Sequence, residues 1–235
     1  PDKRLGMLAR LYNAEKIIPA TVTFVDIAGL VAGASKGEGL GNKFLANIRQ
    51  CDAIVHIVRA FENSDILHVE DGVDPKRDIE TINTELALAD LQTIETRLLR
   101  LHKEAKADPK AKSVAEYLAS LKTHLESGVL LTHVSDLQTG LIQDLHLLTA
   151  KPVIYVFNVN EETLGDDAKK AELKELAEGS HALFICAKLE DEIKGLNPSD
   201  AAELLAAYDI PEAGLTQMIH AAYDILGLQS YLTAG

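Results

Sequence analysis

Four short runs of β-branched and aromatic residues constrain this chain more than anything else in it: TVTFVD (21–26), AIVHIVRA (53–60), KPVIYVFNVN (151–160) and ALFICA (182–187). Each is nearly continuous in hydrophobicity, the pattern of strands covered on both faces in a parallel sheet. Parallel neighbours need long crossovers, and helical periods lie between the runs. Leu40, Phe44, Leu45 and Ile48 mark one apolar stripe; Leu215, Met218, Ile219, Ala222, Tyr223 and Leu226 mark another. Strands alternating with helices predict an α/β domain on a mainly parallel sheet.

The segment between the second and third runs is too long for one crossover. Ala87, Leu91, Ile94, Leu98, Leu101 and Ala105 step by four and three, and Val114, Leu118, Leu121 and Leu125 resume the rhythm after Asp108-Pro109. This spacing predicts an antiparallel helical hairpin with a coiled-coil-like seam and its turn near Pro109. The hairpin is expected as an insertion over 78–147, which leaves 1–77 and 148–235 to the sheet domain.

Charge separates the same two regions. The whole chain carries −13 at neutral pH, which opposes non-specific attraction to nucleic acid and to anionic membrane. From Arg97 to Lys112, however, six basic side chains face two acidic ones, a local +4 that leaves −17 for the rest. Lys103, Lys106, Lys110 and Lys112 at the hairpin tip are therefore candidate contacts for RNA or the ribosome, although a merely solvated tip is the ordinary reading of any single lysine. No apolar stretch approaches the roughly 18 to 20 residues of a membrane span, so no membrane partner and a cytoplasmic location are expected. Cys51 and Cys186 lie in separate runs without clustered histidines and are expected to be two buried thiols.

In an open parallel sheet, ligands bind outside the carboxyl ends of the strands, and three of the runs end in residues that suit one ligand. The first ends in Asp26-Ile27-Ala28-Gly29, a D-x-x-G pattern in which the aspartate serves Mg2+, usually through its water, and the glycine amide meets the γ-phosphate. The third ends in Asn158-Val159-Asn160-Glu161, where a GTPase would carry N-K-x-D to read its base. The fourth ends in Cys186-Ala187-Lys188, where such proteins carry an S-A-K type loop against the base. Each alone matches an ordinary strand end; their order and common position do not. The five glycines of 29–41 suit a loop whose order depends on the γ-phosphate. A dinucleotide fingerprint is a poorer reading of Gly37, Gly39 and Gly41, because the spacing places Asn42 where the third glycine belongs.

FVDIAGLVAGASKGEGLGNKFLANIR closely resembles the YchF (EngD) proteins, the Obg-like ATPases among the P-loop GTPases, and ENSDILHV, DPKRDIETINTELALADL, FNVNEE and GLQSYLTAG do so in the same order. The resemblance implies a ribosome-associated regulatory protein of translation that hydrolyses ATP, or GTP, with Mg2+. By position it assigns Asp26 to the metal, Gly29 to the γ-phosphate, Asn158, Val159 and Glu161 to the base, and the 186–188 loop to the same pocket. Leu30 stands where many GTPases place a water-orienting glutamine, so no general base is assigned.

No G-x-x-x-x-G-K-[S/T] loop occurs in these residues. The family places that loop, the strand before it and a threonine-bearing switch upstream, and a small β-rich TGS domain after the last residue. The chain is thus expected to be an internal piece, an α/β parallel sheet of P-loop type with its first strand missing and a helical hairpin inserted. The alternative is a non-catalytic scaffold that has lost its phosphate loop.

Overall fold

Three of the four runs form strands. The computed structural model describes residues 3–27, 40–63, 72–106 and 108–233. Along the chain these are α1 (Lys3–Leu11), α2 (Leu40–Gln50), β1 (Ile54–Arg59), α3 (Pro75–Glu104), α4 (Pro109–Glu126), a short α5 (Thr139–Ile142), β2 (Val153–Asn158), α6 (Glu161–Leu164), α7 (Asp167–Glu175), β3 (His181–Ile185), α8 (Ala187–Lys194), α9 (Pro198–Ala207) and α10 (Gly214–Ile225). The sheet is parallel with order β1-β2-β3. The central strand is covered on both faces: Val153, Tyr155 and Phe157 join a core with Leu164 and Leu189, while Ile154 and Val156 meet Ala221 and Ala222 of α10.

The first run is a correction to the expectation. Residues 21–27 form no regular secondary structure and pair with no strand among the described residues. Only Val22 and Ile27 reach a core, whereas Phe24 and Val25 are 40% and 58% exposed. β-branched side chains suit strands, but a strand needs a ladder partner, and none stands among the described residues. The C-terminal stripe is corrected too: of its expected residues Met218 and Ala222 join the sheet-facing core, together with Ala221 and Ile225, whereas Ile219, Tyr223 and Leu226 are half-buried outside that cluster and Leu215 is exposed. Cys186 is buried as expected, but Cys51 is only half-buried. In α2, Leu45 and Ile48 are buried and Phe44 packs beside them; the side chain of Leu40 lies outside the described set.

The hairpin forms where its heptad-like spacing predicts. Asp108 caps α4 by accepting from Lys110 N–H at 2.9 Å, and Pro109 follows at the first helical position, where its missing donor costs nothing. Ile94, Leu98 and Leu101 of α3 interdigitate with Leu118, Leu121 and Leu125 of α4 in a cluster that also takes Leu131 and Ile142. The N-terminal half of α3 does different work: Ile79 enters the sheet core, and Leu86 and Ala89 pack on α2. Asp90 fixes the junction. Its buried carboxylate accepts from Leu148 N–H, Thr149 N–H and the Thr149 hydroxyl, each at 2.8 Å, which ties α3 to the turn that feeds β2. Burial pushes this carboxyl above its usual range, and the three bonds oppose that shift.

Candidate functional site

The register of β2 and β3 sets Asn158 opposite Ile185, so both strands end at one level and their following loops run side by side. Val159 N–H donates to the Ile185 carbonyl at 2.9 Å, one step beyond the ladder. The Asn158 Oδ1 then accepts from Ala187 N–H at 3.2 Å. Ala187 opens α8, where the first amides have no acceptor within the helix. Cys186 makes no side-chain cap bond there. Asn158 therefore supplies from the neighbouring strand what a serine or aspartate cap supplies locally.

A second bridge spans the same two loops. Asn160 caps α6 by accepting from Thr163 N–H at 3.0 Å, which sets Glu161 at the first turn. The Lys188 ammonium donates to Glu161 Oε1 at 2.8 Å. This bond holds the Glu161 carboxyl below its ordinary range and, reciprocally, the Lys188 ammonium above its own. The carboxylate contribution is present above the unfolded carboxyl pKa and fades as acid protonates it; the ammonium contribution is present below the unfolded lysine pKa and fades in alkali. The pair is charged throughout the neutral range. Both side chains reach solvent, Glu161 at 34% and Lys188 at 71%.

The remaining expected site residues divide. Val159 and Cys186 turn their side chains into the core, so only their backbone belongs to the strand-end surface. Asp26 is exposed and makes no hydrogen bond or ion pair with these loops among the described residues. Gly29 and Leu30, with Gly33, Gly37 and Gly39, lie outside the described residues. Lys103, Lys106, Lys110 and Lys112 are all exposed around the hairpin turn, and Lys112 meets Glu116 at 3.9 Å one turn along α4. Sequence reading missed Arg59, which ends β1 opposite Asn158; its guanidinium lies 4.9 Å over the Phe61 ring and donates to the Phe61 and Asn63 carbonyls. No helix among the described residues is long and apolar enough to cross a membrane.

Residues 9–95 match the family described as a 50S ribosome-binding GTPase. The chain is 48% identical to the ribosome-binding ATPase YchF of Haemophilus ducreyi and 47% identical to that of Bacillus subtilis, matching over its whole length and over 66% of each relative. It is 40% identical to the YchF protein of Mycoplasma pneumoniae, covering 67% of it. The chain belongs to the YchF family. A solved YchF GTPase from Schizosaccharomyces pombe has the same fold, with a TM-score of 0.82 at 31% identity over all of this chain and 66% of that one. This YchF chain thus spans 66% of the length of the first curated relatives it matches. In YchF terms, the paired loops after β2 and β3 stand where the strand-end motifs of the sequence predict a base pocket.

Proposed function

We propose that this chain supplies the base-recognising loops and the inserted helical hairpin of a ribosome-associated YchF protein that binds ATP in preference to GTP, with Mg2+, and hydrolyses it as a regulatory step in translation. The observation that carries this reading is the double bridge between the β2 and β3 loops, Asn158 to Ala187 and Glu161 to Lys188. Guanine presents two adjacent donors on the edge that an N-K-x-D aspartate reads, and so asks for two free carboxylate oxygens. Adenine presents one donor, its amino group, beside one acceptor. With Oε1 already accepting from Lys188, Glu161 is a weaker double acceptor than a free carboxylate, and it lies beside an ammonium that still has protons to donate. One acceptor beside one donor suits adenine.

Asp26 is the residue assigned to the metal. Mg2+ takes few protein ligands, usually one or two carboxylates with waters and phosphate oxygens, and a single exposed carboxylate at a loop fits that chemistry. When bound, the ion would neutralise phosphate charge; Asp26 would orient it, and Gly29 would meet the γ-phosphate. The same proposal assigns 1–77 and 148–235 to nucleotide binding and 78–147 to the insertion, supported by the separate cores on either side of Asp90. The lysines of the hairpin tip are its candidate ribosome contacts.

The test uses the complete natural protein. Mg2+-dependent ATP turnover is expected, and Glu161→Ala should raise the ATP Kd at least about tenfold, since it removes a charge-assisted contact, while leaving the melting temperature nearly unchanged. Turnover absent in the wild-type protein would favour the non-catalytic scaffold. Reversal of the four tip lysines to glutamate should abolish co-sedimentation with ribosomes, and unchanged co-sedimentation would remove the tip from the proposal.

A further inference from the structure

The cap that Asn158 lends to α8 is repeated one step further from the site. α10 begins at Gly214 after Ala213, whose side chain gives the first amides of the helix no acceptor. The acceptor comes instead from α8: Glu190 Oε1 takes the Gly214 N–H at 2.8 Å, across 24 residues of chain. A carboxylate at this position is favoured both by the unpaired amides and by the helix dipole. Glu190 is half-buried and Gly214 is buried, so solvent screens the contact less than it does a surface ion pair.

Only glycine fits where the two elements meet. A Cβ on Gly214 would lie 2.8 Å from Ile185 Cδ1 and 3.1 Å from Glu190 Oε1, too close for either. Ile185 is the last residue of β3 and the register partner of Asn158, and its carbonyl accepts from Val159 N–H. The start of α10 therefore sits against the strand end from which the 186–188 loop springs.

Four successive residues of α8 are thus tied to four parts of the molecule. Ala187 N–H goes to Asn158, the Lys188 ammonium to Glu161, the Leu189 side chain to the sheet core, and the Glu190 carboxylate to α10. Leu189 packs with Tyr155 and Phe157, whereas α10 covers Ile154 and Val156 on the other face of β2. Glu190 is the tie that holds α8 from that second face.

We propose that Glu190 is a positioning residue for base recognition: by fastening α8 to the N-terminus of α10, it fixes the Ala187 amide and the Lys188 ammonium where the paired loops meet adenine. This rests on the adenine reading above and deepens it by naming a residue outside the strand-end motifs. Its effect falls on the base and spares the phosphate end, because Asp26 and Gly29 follow a different run of the chain, and Asp26 makes no bond with these loops among the described residues.

The experiment measures the Kd of the complete protein for ATP, GTP and inorganic tripolyphosphate with Mg2+, in the wild type, Glu190→Ala and Glu190→Gln, with thermal melting in parallel. Glu190→Ala should raise the ATP Kd about fivefold, the lower end of ordinary coupling between sites, and narrow the ATP-to-GTP ratio, with the tripolyphosphate Kd unchanged. Glu190→Gln keeps an oxygen for the Gly214 N–H and should recover most of the loss. A merely structural role would lower the melting temperature without separating ATP from tripolyphosphate. Gly214→Ala reads the same contact from the other side and serves if Glu190→Ala unfolds. It should shift the ATP Kd in the same direction, and the double variant should lose less than the sum of the two single losses. An ATP Kd unchanged in a folded Glu190→Ala, or equal losses for ATP and tripolyphosphate, would overturn the proposal and leave the adenine reading intact. A wild type with no preference for ATP over GTP would overturn the adenine reading itself, and this proposal with it.

Discussion

The hairpin and the sheet reach stability by opposite routes. In the hairpin, two helices close in sequence bury a seam whose central members, Ile94, Leu98, Leu101, Leu118, Leu121 and Leu125, are at most 9% exposed, and a capped turn joins them. In the sheet, only the middle strand is enclosed: five successive residues of β2 are buried, while Ile57 on β1 is 58% exposed and every residue of β3 is half-buried or exposed. Local contacts complete the first region from its own residues. Non-local pairing leaves the second dependent on whatever covers its edges.

The sharpest way to break this comparison is Phe157→Ala. Phe157 is fully buried near the C-terminal end of β2, stacked on Phe184 with ring centroids 5.5 Å apart, and its loss should cost about 4 kcal/mol in denaturant unfolding. Hydrogen exchange should show the sheet amides losing protection while α3 and α4 from 94 to 125 keep theirs. Equal loss in both regions would mean one cooperative unit and would end the contrast. Leu121→Ala, from a position 1% exposed in the seam, should cost about 3 kcal/mol with the opposite exchange pattern.

A smaller effect comes from His56 on β1, whose ring packs 5.5 Å from Tyr155. Burial pushes its pKa down to about 4, with Asp78 opposing the shift. A depressed histidine stabilises the fold above its unfolded pKa of 6.5, and that contribution is lost as pH falls toward 4. Stability measured at pH 7 and again near pH 4 should therefore differ by about 2 kcal/mol from this group, after a discount for its partial exposure. His56→Phe should remove that share of the acid sensitivity, whereas an unaltered pH profile would assign it elsewhere. The smallest effect belongs to Lys122, which joins Glu95 across the hairpin at 2.8 Å and Glu126 along α4 at 3.5 Å. Lys122→Ala should lower the melting temperature only slightly, since solvent screens such a pair, and a loss as large as that of Leu121→Ala would show that the hairpin depends on its charges as well as its seam.

The sequence made the hairpin legible almost residue by residue, because a repeating apolar period and a capped Asp-Pro turn are local signals. Strands β1, β2 and β3 were legible from their enclosed composition. The run 21–26 has the same composition but no ladder partner among the described residues, and composition cannot report a partner. The site divides in the same way. The strand-end motifs announced which loops converge, but the Asn158 cap on α8 and the Glu161–Lys188 bridge depend on the β2–β3 register, which joins residues 29 and 27 positions apart. Val159 read as a base cover because the alignment of motifs places it there; its side chain belongs to the core, as the continuous apolar run before it allows. The Glu190 tie to α10 was hidden for a similar reason, since it joins residues 24 positions apart once α10 packs against β3.

The central claim is that the bridged loops after β2 and β3 read adenine. The direct test is the ratio of ATP to GTP affinity in the complete natural protein, before and after Val159→Lys/Glu161→Asp restores the guanine-reading pattern, with folding checked by thermal melting because Val159 is buried. A wild-type preference for ATP that swings toward GTP by at least about tenfold in the variant, the size expected for one discriminating polar contact, is the predicted result. An unchanged ratio in a folded variant would contradict it.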